Sequence, residues 1–266
     1  MKYTVCTTFN ADGYAKYGQR MIQTFLKTWP NTVDLIVYAE NCTVTESAAN
    51  LIVRDIAVCT ELSAFKHKWQ GVAMATGDVS ADPVRSLRKD SGKGFKWDAV
   101  RFAHKVYSIF HCVKHVESDW LLWMDADTVC HSSITEADLT RLCPAATDLC
   151  FLGRRGKYTE CGLYAMNLKS TNTQDFLAQF QHYYDHAESG IFTLAEWHDS
   201  FVFDAVRTLQ PLKELDWSSH IIAGEGHPLI NSDWGAYLDH LKGDRKNLGR
   251  SKSKDLKVPR KESYWQ

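Results

Sequence analysis

Three runs rich in β-branched and aromatic residues, "KYTVCTTF", "VDLIVYA" and "NLIVRDI", open the chain as short strands. Between the first two, Tyr14, Tyr17, Met21, Phe25 and Trp29 recur at three- and four-residue steps, which predicts a helix over 14–29 and a βαβ opening. Helical spacing returns over 97–113, where Val100, Phe102, Val106, Ile109, Phe110 and Val113 share a face. The run "WLLWM" at 120–124 is apolar at every position, the pattern of a strand buried on both sides. Further helices are predicted near 172–186, opened by Asn172 as a cap, and near 199–209, with strands at 149–152 and 162–166. This order implies one mostly parallel α/β sheet flanked by helices, without internal repeats. The Gly-, Ser- and Asp-rich stretch 75–95 reads as a mobile loop of the kind that carries function in α/β enzymes.

Composition adds limits. At 266 residues and 44% hydrophobic, the chain is long enough for a large core, and we expect a single compact domain over 1–248 followed by an extended basic tail, 249–266. "MKYTVCTTFN" lacks the apolar run of a signal peptide and no stretch is long and apolar enough for a membrane helix, so a cytoplasmic location is expected. The eight cysteines form no C-x-x-C pair and fall largely in apolar runs, which suits reduced core thiols.

The net charge of −1 conceals an asymmetry. Residues 66–105 carry nine Lys/Arg against four Asp, and 241–266 carry nine against three acids, which leaves the remainder at about −12. Two basic segments on an acidic body suggest phosphate contacts, and solvated loops are the plain alternative.

Candidate chemistry starts where the apolar strand meets "DADT". Strand carboxyl ends line the ligand crevice of a doubly wound sheet, and that is where Asp125 and Asp127 fall. Residues two apart on extended backbone point to one side, so these carboxylates can share a hard divalent cation that in turn holds a diphosphate. A capped strand end is the alternative. The segment "DHLKGDRK" contains His240, Gly243 and Lys246 in the order H-x-x-G-x-x-K. Imidazole can complete a metal shell, Gly lets backbone amides approach a phosphate, and Lys adds point charge. Here the alternative is a helix C-terminus with Gly243 as its left-handed cap.

A strand ending in "MDADTV", followed over a hundred residues later by H-x-x-G-x-x-K, resembles the GT-A-type nucleotide-sugar glycosyltransferases, especially the retaining glycogenin-like and bacterial galactosyltransferase families. The resemblance implies a Rossmann-like GT-A domain over 1–248, with Asp125, Asp127 and His240 binding Mn²⁺ (or Mg²⁺). It implies that Gly243 and Lys246 bind the diphosphate of a nucleotide-diphosphate sugar, and that Thr7, Thr8 and Phe9 at the end of the first strand touch base and ribose. A basic residue on the helix before the DxD strand contacts the donor in that family. Arg101 and Lys105, four apart on one helix face, are the matching donor-binding and catalytic candidates. In "ECGLYAMNL" Gly162 matches a family glycine, while Glu160 stands where an amide is usual. In "EWHDSFVFDAVR" Asp199 matches an aspartate facing sugar and acceptor, with a helix N-cap as the alternative and Trp197 as a neighbouring candidate stacking residue. Asn247 and Leu248 replace the Pro-Trp that commonly follows the final Lys.

The expected activity is metal-dependent sugar transfer to a hydroxyl acceptor, with retention implied by the C-terminal motif. A nucleotide-sugar nucleotidyltransferase is the rival enzyme, but "TTFNADGYAKYG" lacks the Gly-rich basic loop it should carry. A non-catalytic nucleotide-sugar-binding module is the other rival. Saccharides, lipid-linked glycans, protein side chains and a hydroxymethylated DNA base remain open as acceptors, and the basic segments 85–105 and 242–261 favour a polyanion such as DNA.

Overall fold

The computed structural model describes residues 1–221 and 227–266. It opens with β1 (Tyr3–Asn10), a helical turn α1 (Ala11–Gly13), a π-helical turn at Tyr14–Gly18, then α2 (Gln19–Thr28) and β2 (Asp34–Glu40). β3 (Leu51–Asp55), α3 (Thr60–Trp69), α4 (Ala99–Lys114), β4 (Trp120–Met124) and β5 (Thr128–Cys130) follow. Next come α5 (Glu136–Leu142), β6 (Leu149–Phe151), β7 (Leu163–Asn167), α6 (Thr171–Asp185), α7 (Asp199–Arg207) and β8 (Glu214–Asp216). The chain closes with α8 (Pro228–Asn231), β9 (Leu238–His240) and α9 (Arg245–Leu248).

Seven strands form one sheet in the order β3-β2-β1-β4-β7-β6-β8, with β7 antiparallel to its neighbours and the other pairings parallel. This is the expected α/β class, and the βαβ opening is present. Strand β4 is central and buried throughout. Its Leu121 and Trp123 face one core layer, with Val106, Phe110, Phe180 and Val202 from α4, α6 and α7. Trp120, Leu122 and Met124 face the other, with Met21 and Phe25 of α2 and Leu139 of α5. Alternation along the strand divides the apolar run between two layers of helices, which is why no position in it could be polar.

Several expectations shift in detail. The helix near 172 is capped by Ser170, whose hydroxyl accepts from the Thr173 amide, while Asn172 donates to Asp148. Segment 75–95 contains successive 3₁₀ turns tied by Arg85–Asp82, Arg88–Asp90 and Lys96–Asp90 ion pairs. The periodicity reading passed over α5, although Thr135 and Asp138 form a reciprocal cap at its start. All eight cysteines are free and seven are buried, as expected of packing thiols. Among the described residues no helix is long and apolar enough to cross a membrane.

The C-terminal segment departs most from expectation. It is docked on the body: Arg260 donates to the carbonyls of Ile230 and Ser232, Tyr264 to Asp239 (2.8 Å) and the Trp265 indole to the Gly235 carbonyl (2.8 Å). Aromatic burial and buried carbonyls in need of donors outweigh the solvation that its lysines invite.

Candidate active site

The site is assembled by a small second sheet. Strand β5 leaves the turn after β4 and pairs antiparallel with β9, placing Thr128 opposite His240. The Leu241 amide donates to the Asp127 carbonyl (2.8 Å), and the Asp125 amide to that of Gly162 (2.8 Å). Three distant segments are thereby fastened around the DxD turn by backbone hydrogen bonds. The register then sets His240 Nε2 3.0 Å from Asp127 Oδ1 and 3.6 Å from Asp125 Oδ2.

Asp125, Asp127 and His240 each offer one donor atom, and these lie within 4.8 Å of one another. Two carboxylate oxygens and one imidazole nitrogen are a donor set that suits Mn²⁺ or Mg²⁺, so the residues present fit the implied cation. Burial would raise the Asp127 carboxyl, but His240 and Lys246 outweigh it and hold the group well below the usual carboxylate range. Burial opposes charge on His240, yet Asp127 overrides this and raises the imidazole. Each of these groups thus favours the charged form of its neighbour.

Lys246 Nζ lies 2.9 Å from Asp127 Oδ2 and over the Tyr17 ring at 4.8 Å. Gly243 adopts φ 57° in the turn between β9 and α9, with open space where a side chain would stand. His240 ends a strand, so the helix C-terminus considered for this motif is not what forms: the helix follows Gly243 and does not precede it.

Lys105 is buried, 2.7 Å from Asp199 Oδ2 and 3.1 Å from Asp125 Oδ1, and also donates to the Cys161 carbonyl. Burial alone would lower the ammonium, but Asp125 and Asp199 raise it, and Lys105 in turn keeps Asp199 low against the burial that would raise it. The cap of α7 is His198, whose Nδ1 accepts from the Phe201 amide, so Asp199 is not the N-cap; its carboxylate pairs with Lys105 and accepts from the Ser200 amide (2.8 Å). Arg101 is exposed and, with Phe102, Asp125, Gly162 and Asp199, lines a cleft of about 970 Å³.

Gly162 sits where no side chain fits, because a Cβ there would run into the His240 ring. Thr7 is fully buried and Phe9 is only 5% exposed, and neither is among the residues that line this cleft. Thr8 donates to the Tyr38 carbonyl (2.7 Å). β1 is covered on both faces, so Thr4 and Cys6 are as deeply buried as Val5 and Thr7. Trp197 is likewise fully buried, with Arg85 over its ring, and serves packing.

Some charges are already committed. Arg85 and Arg88 pair with acids of their own loop, Arg245 with Asp255, and Lys242 with Glu160. Lys89, Lys93, Arg250, Lys252 and Lys254 have no ion-pair partner among the described residues. Glu160, which the sequence marked only as a departure from the usual amide, and His227, which carried no spacing signal, both lie against His240. The pairing of Glu160 with Lys242 joins residues on either side of the site that no local pattern connects.

The sequence matches no family model and no curated protein. Among solved structures the chain is similar to WbbM, a bifunctional glycosyltransferase, at 11% identity and TM-score 0.48, covering 81% of this chain and 38% of that one. It is also similar to mouse xyloside xylosyltransferase 1, at 13% identity and TM-score 0.43, covering 81% and 85%. An active-site mutant of LgtC gives 12% identity and TM-score 0.46, covering 81% and 73%.

Proposed function

We propose that this chain is a GT-A-type, metal-dependent glycosyltransferase that moves a sugar from a nucleotide-diphosphate sugar to a hydroxyl acceptor with retention. The supporting observation is the convergence of Asp125, Asp127 and His240, two segments over a hundred residues apart, on one small volume, with Lys246 2.9 Å from Asp127. Asp125, Asp127 and His240 hold the cation, Mn²⁺ or Mg²⁺. Its chemistry when bound is to neutralise the departing diphosphate.

Lys246 moves from Asp127 to the phosphates when the donor binds, and Gly243 opens backbone amides to them. Lys105 holds Asp199 ionised at the cleft, where that carboxylate faces the sugar and stabilises developing positive charge. Arg101 contributes a second positive charge at the cleft mouth. Thr8 and the backbone at the end of β1 remain the candidates for contact with base and ribose. Free thiols support a reducing, cytoplasmic compartment.

The test is a nucleotide-sugar panel with Mn²⁺, scored by thermal shift and by release of nucleoside diphosphate. One donor should raise the melting temperature and yield free nucleoside diphosphate. Pyrophosphate exchange with a sugar phosphate would assign a nucleotidyltransferase instead, and binding without turnover a binding module. A hydroxymethylated-DNA acceptor rests on Lys89, Lys93, Arg250, Lys252 and Lys254, and a DNA-binding titration at two salt concentrations with transfer measured alongside decides it.

A further inference from the structure

Behind His240, on the side away from Asp127, lies a second buried cluster. Glu160, His227 and His240 each turn one donor atom into a space where all lie within 4.8 Å of one another. His227 Nε2 and His240 Nδ1 are buried and have no hydrogen-bond partner. Glu160 Oε1 is 4.0 Å from His240 Nδ1 and accepts from the Gly162 amide at 3.3 Å. Its other oxygen takes the Lys242 ammonium, with Arg154 3.5 Å away.

Two readings compete, a second cation site or a carboxylate that orients the first. The tautomers decide. His227 Nδ1 accepts from the Leu229 amide (3.2 Å), so the ring is neutral and its proton sits on Nε2. That nitrogen offers the cluster an N–H and not a lone pair, so it cannot ligate a metal. His240 must present a lone pair at Nε2 to join Asp125 and Asp127 on a cation, and a neutral ring then carries its proton on Nδ1. Both imidazoles therefore direct N–H groups at the space that Glu160 fills, and a carboxylate is an acceptor only.

We propose that Glu160 is a positioning residue for the cation site: it accepts from His240 Nδ1–H and His227 Nε2–H, and so keeps the lone pair of His240 Nε2 aimed at the metal. The inference rests on the metal-site reading above. With Nε2 turned to Asp127 and Asp125, a cation held there would take the Nε2 lone pair, and the ring's proton would remain on Nδ1, pointing at Glu160. Glu160 Oε1 stands 4.0 Å from His240 Nδ1, beyond hydrogen-bond distance, so the two must close on each other when a cation binds. Lys242 and Arg154 keep the acid ionised for this purpose, and Gly162 leaves room for the ring it orients. Outer-shell carboxylates on metal-bound imidazoles act in this way elsewhere.

The experiment uses the full chain and the metal alone. Mn²⁺ binding is read from the loss of the free-ion paramagnetic signal, for wild type and Glu160→Gln, with thermal melts on both. We expect one Mn²⁺ per wild-type chain and affinity about 10- to 100-fold weaker in Glu160→Gln at a nearly unchanged melting temperature. In parallel, ¹⁵N-histidine spectra of the Mg²⁺-saturated wild type should show His240 protonated at Nδ1, a readout independent of whether the variant folds. Equal Mn²⁺ affinity in a folded Glu160→Gln, an unprotonated Nδ1, or a second Mn²⁺ that only the variant loses would each overturn the proposal. Wild type that binds no Mn²⁺ would instead remove the metal-site reading itself.

Discussion

Lys105 Nζ stands 2.7 Å from Asp199 Oδ2, each on a different helix and both largely shielded from water. A buried pair of this kind is retained because each charge makes the other tolerable, and deleting one strands its partner. Lys105→Met should therefore destabilise the fold by about 3 kcal/mol, and adding Asp199→Asn should return part of that loss. Urea denaturation of the two single variants and the double variant measures the coupling. Additive losses would mean that the two groups do not depend on each other.

Gly162→Ala should act on the metal site and less on the fold. Its new Cβ meets the His240 ring, and moving that ring takes Nε2 away from Asp127. Mn²⁺ affinity should drop by about tenfold or more, since small displacements of a ligating imidazole are felt at the metal. Calorimetric titration with Mn²⁺ checks this, and unchanged affinity would show that His240 does not ligate.

Trp265 is 8% exposed and its indole donates to the Gly235 carbonyl, beside Tyr264 on Asp239. Trp265→Ala should lower stability by about 3 kcal/mol, the low end for removing a buried Trp. A tail merely attached to the body would tolerate the change, and chemical denaturation distinguishes the two outcomes.

Acid should loosen the same region through His131, and the wall behind His240 through His227. Burial pushes the His131 imidazole down to about 4, against the opposing pull of Asp239 and Glu262, and pushes His227 down to about 3. An unfolded histidine takes up its proton near pH 6.5, so the folded state binds fewer protons below that value. The stability that each neutral ring contributes is present in full above about pH 6.5 and is lost as pH falls toward these lowered values, with a slope of up to about 1.4 kcal/mol per unit for each ring. His131→Phe, which keeps a ring against Tyr264 at the 4.2 Å stack, should flatten the dependence between about pH 6 and 4.5 in urea melts. A profile as steep as wild type would place the proton uptake elsewhere.

Periodicity carried the main elements: the βαβ opening, the helix before β4, and β4 itself were legible because each buries a face or a run that repeats along the chain. Short elements were not. β5 and β9 have three residues each, too few for a period to register, yet their pairing is what brings His240 to Asp127. Thr7 and Phe9 at the end of β1 were matched by position alone, and a position in the chain carries no information on how deeply its side chain is buried.

By itself, the sequence determined the α/β class, the carboxylates at a strand end and the spaced His, Gly and Lys, because these depend on local order and on hydrophobic repeats. Tertiary structure alone decided that Lys105 holds Asp199, that Glu160 backs His240, and that the basic C-terminal segment folds onto the body. Those outcomes are pairings of charge and of hydrogen-bond need between residues far apart in the chain. Their energies depend on distance and burial, which exist only once the sheet has set its register and the helices have closed over it.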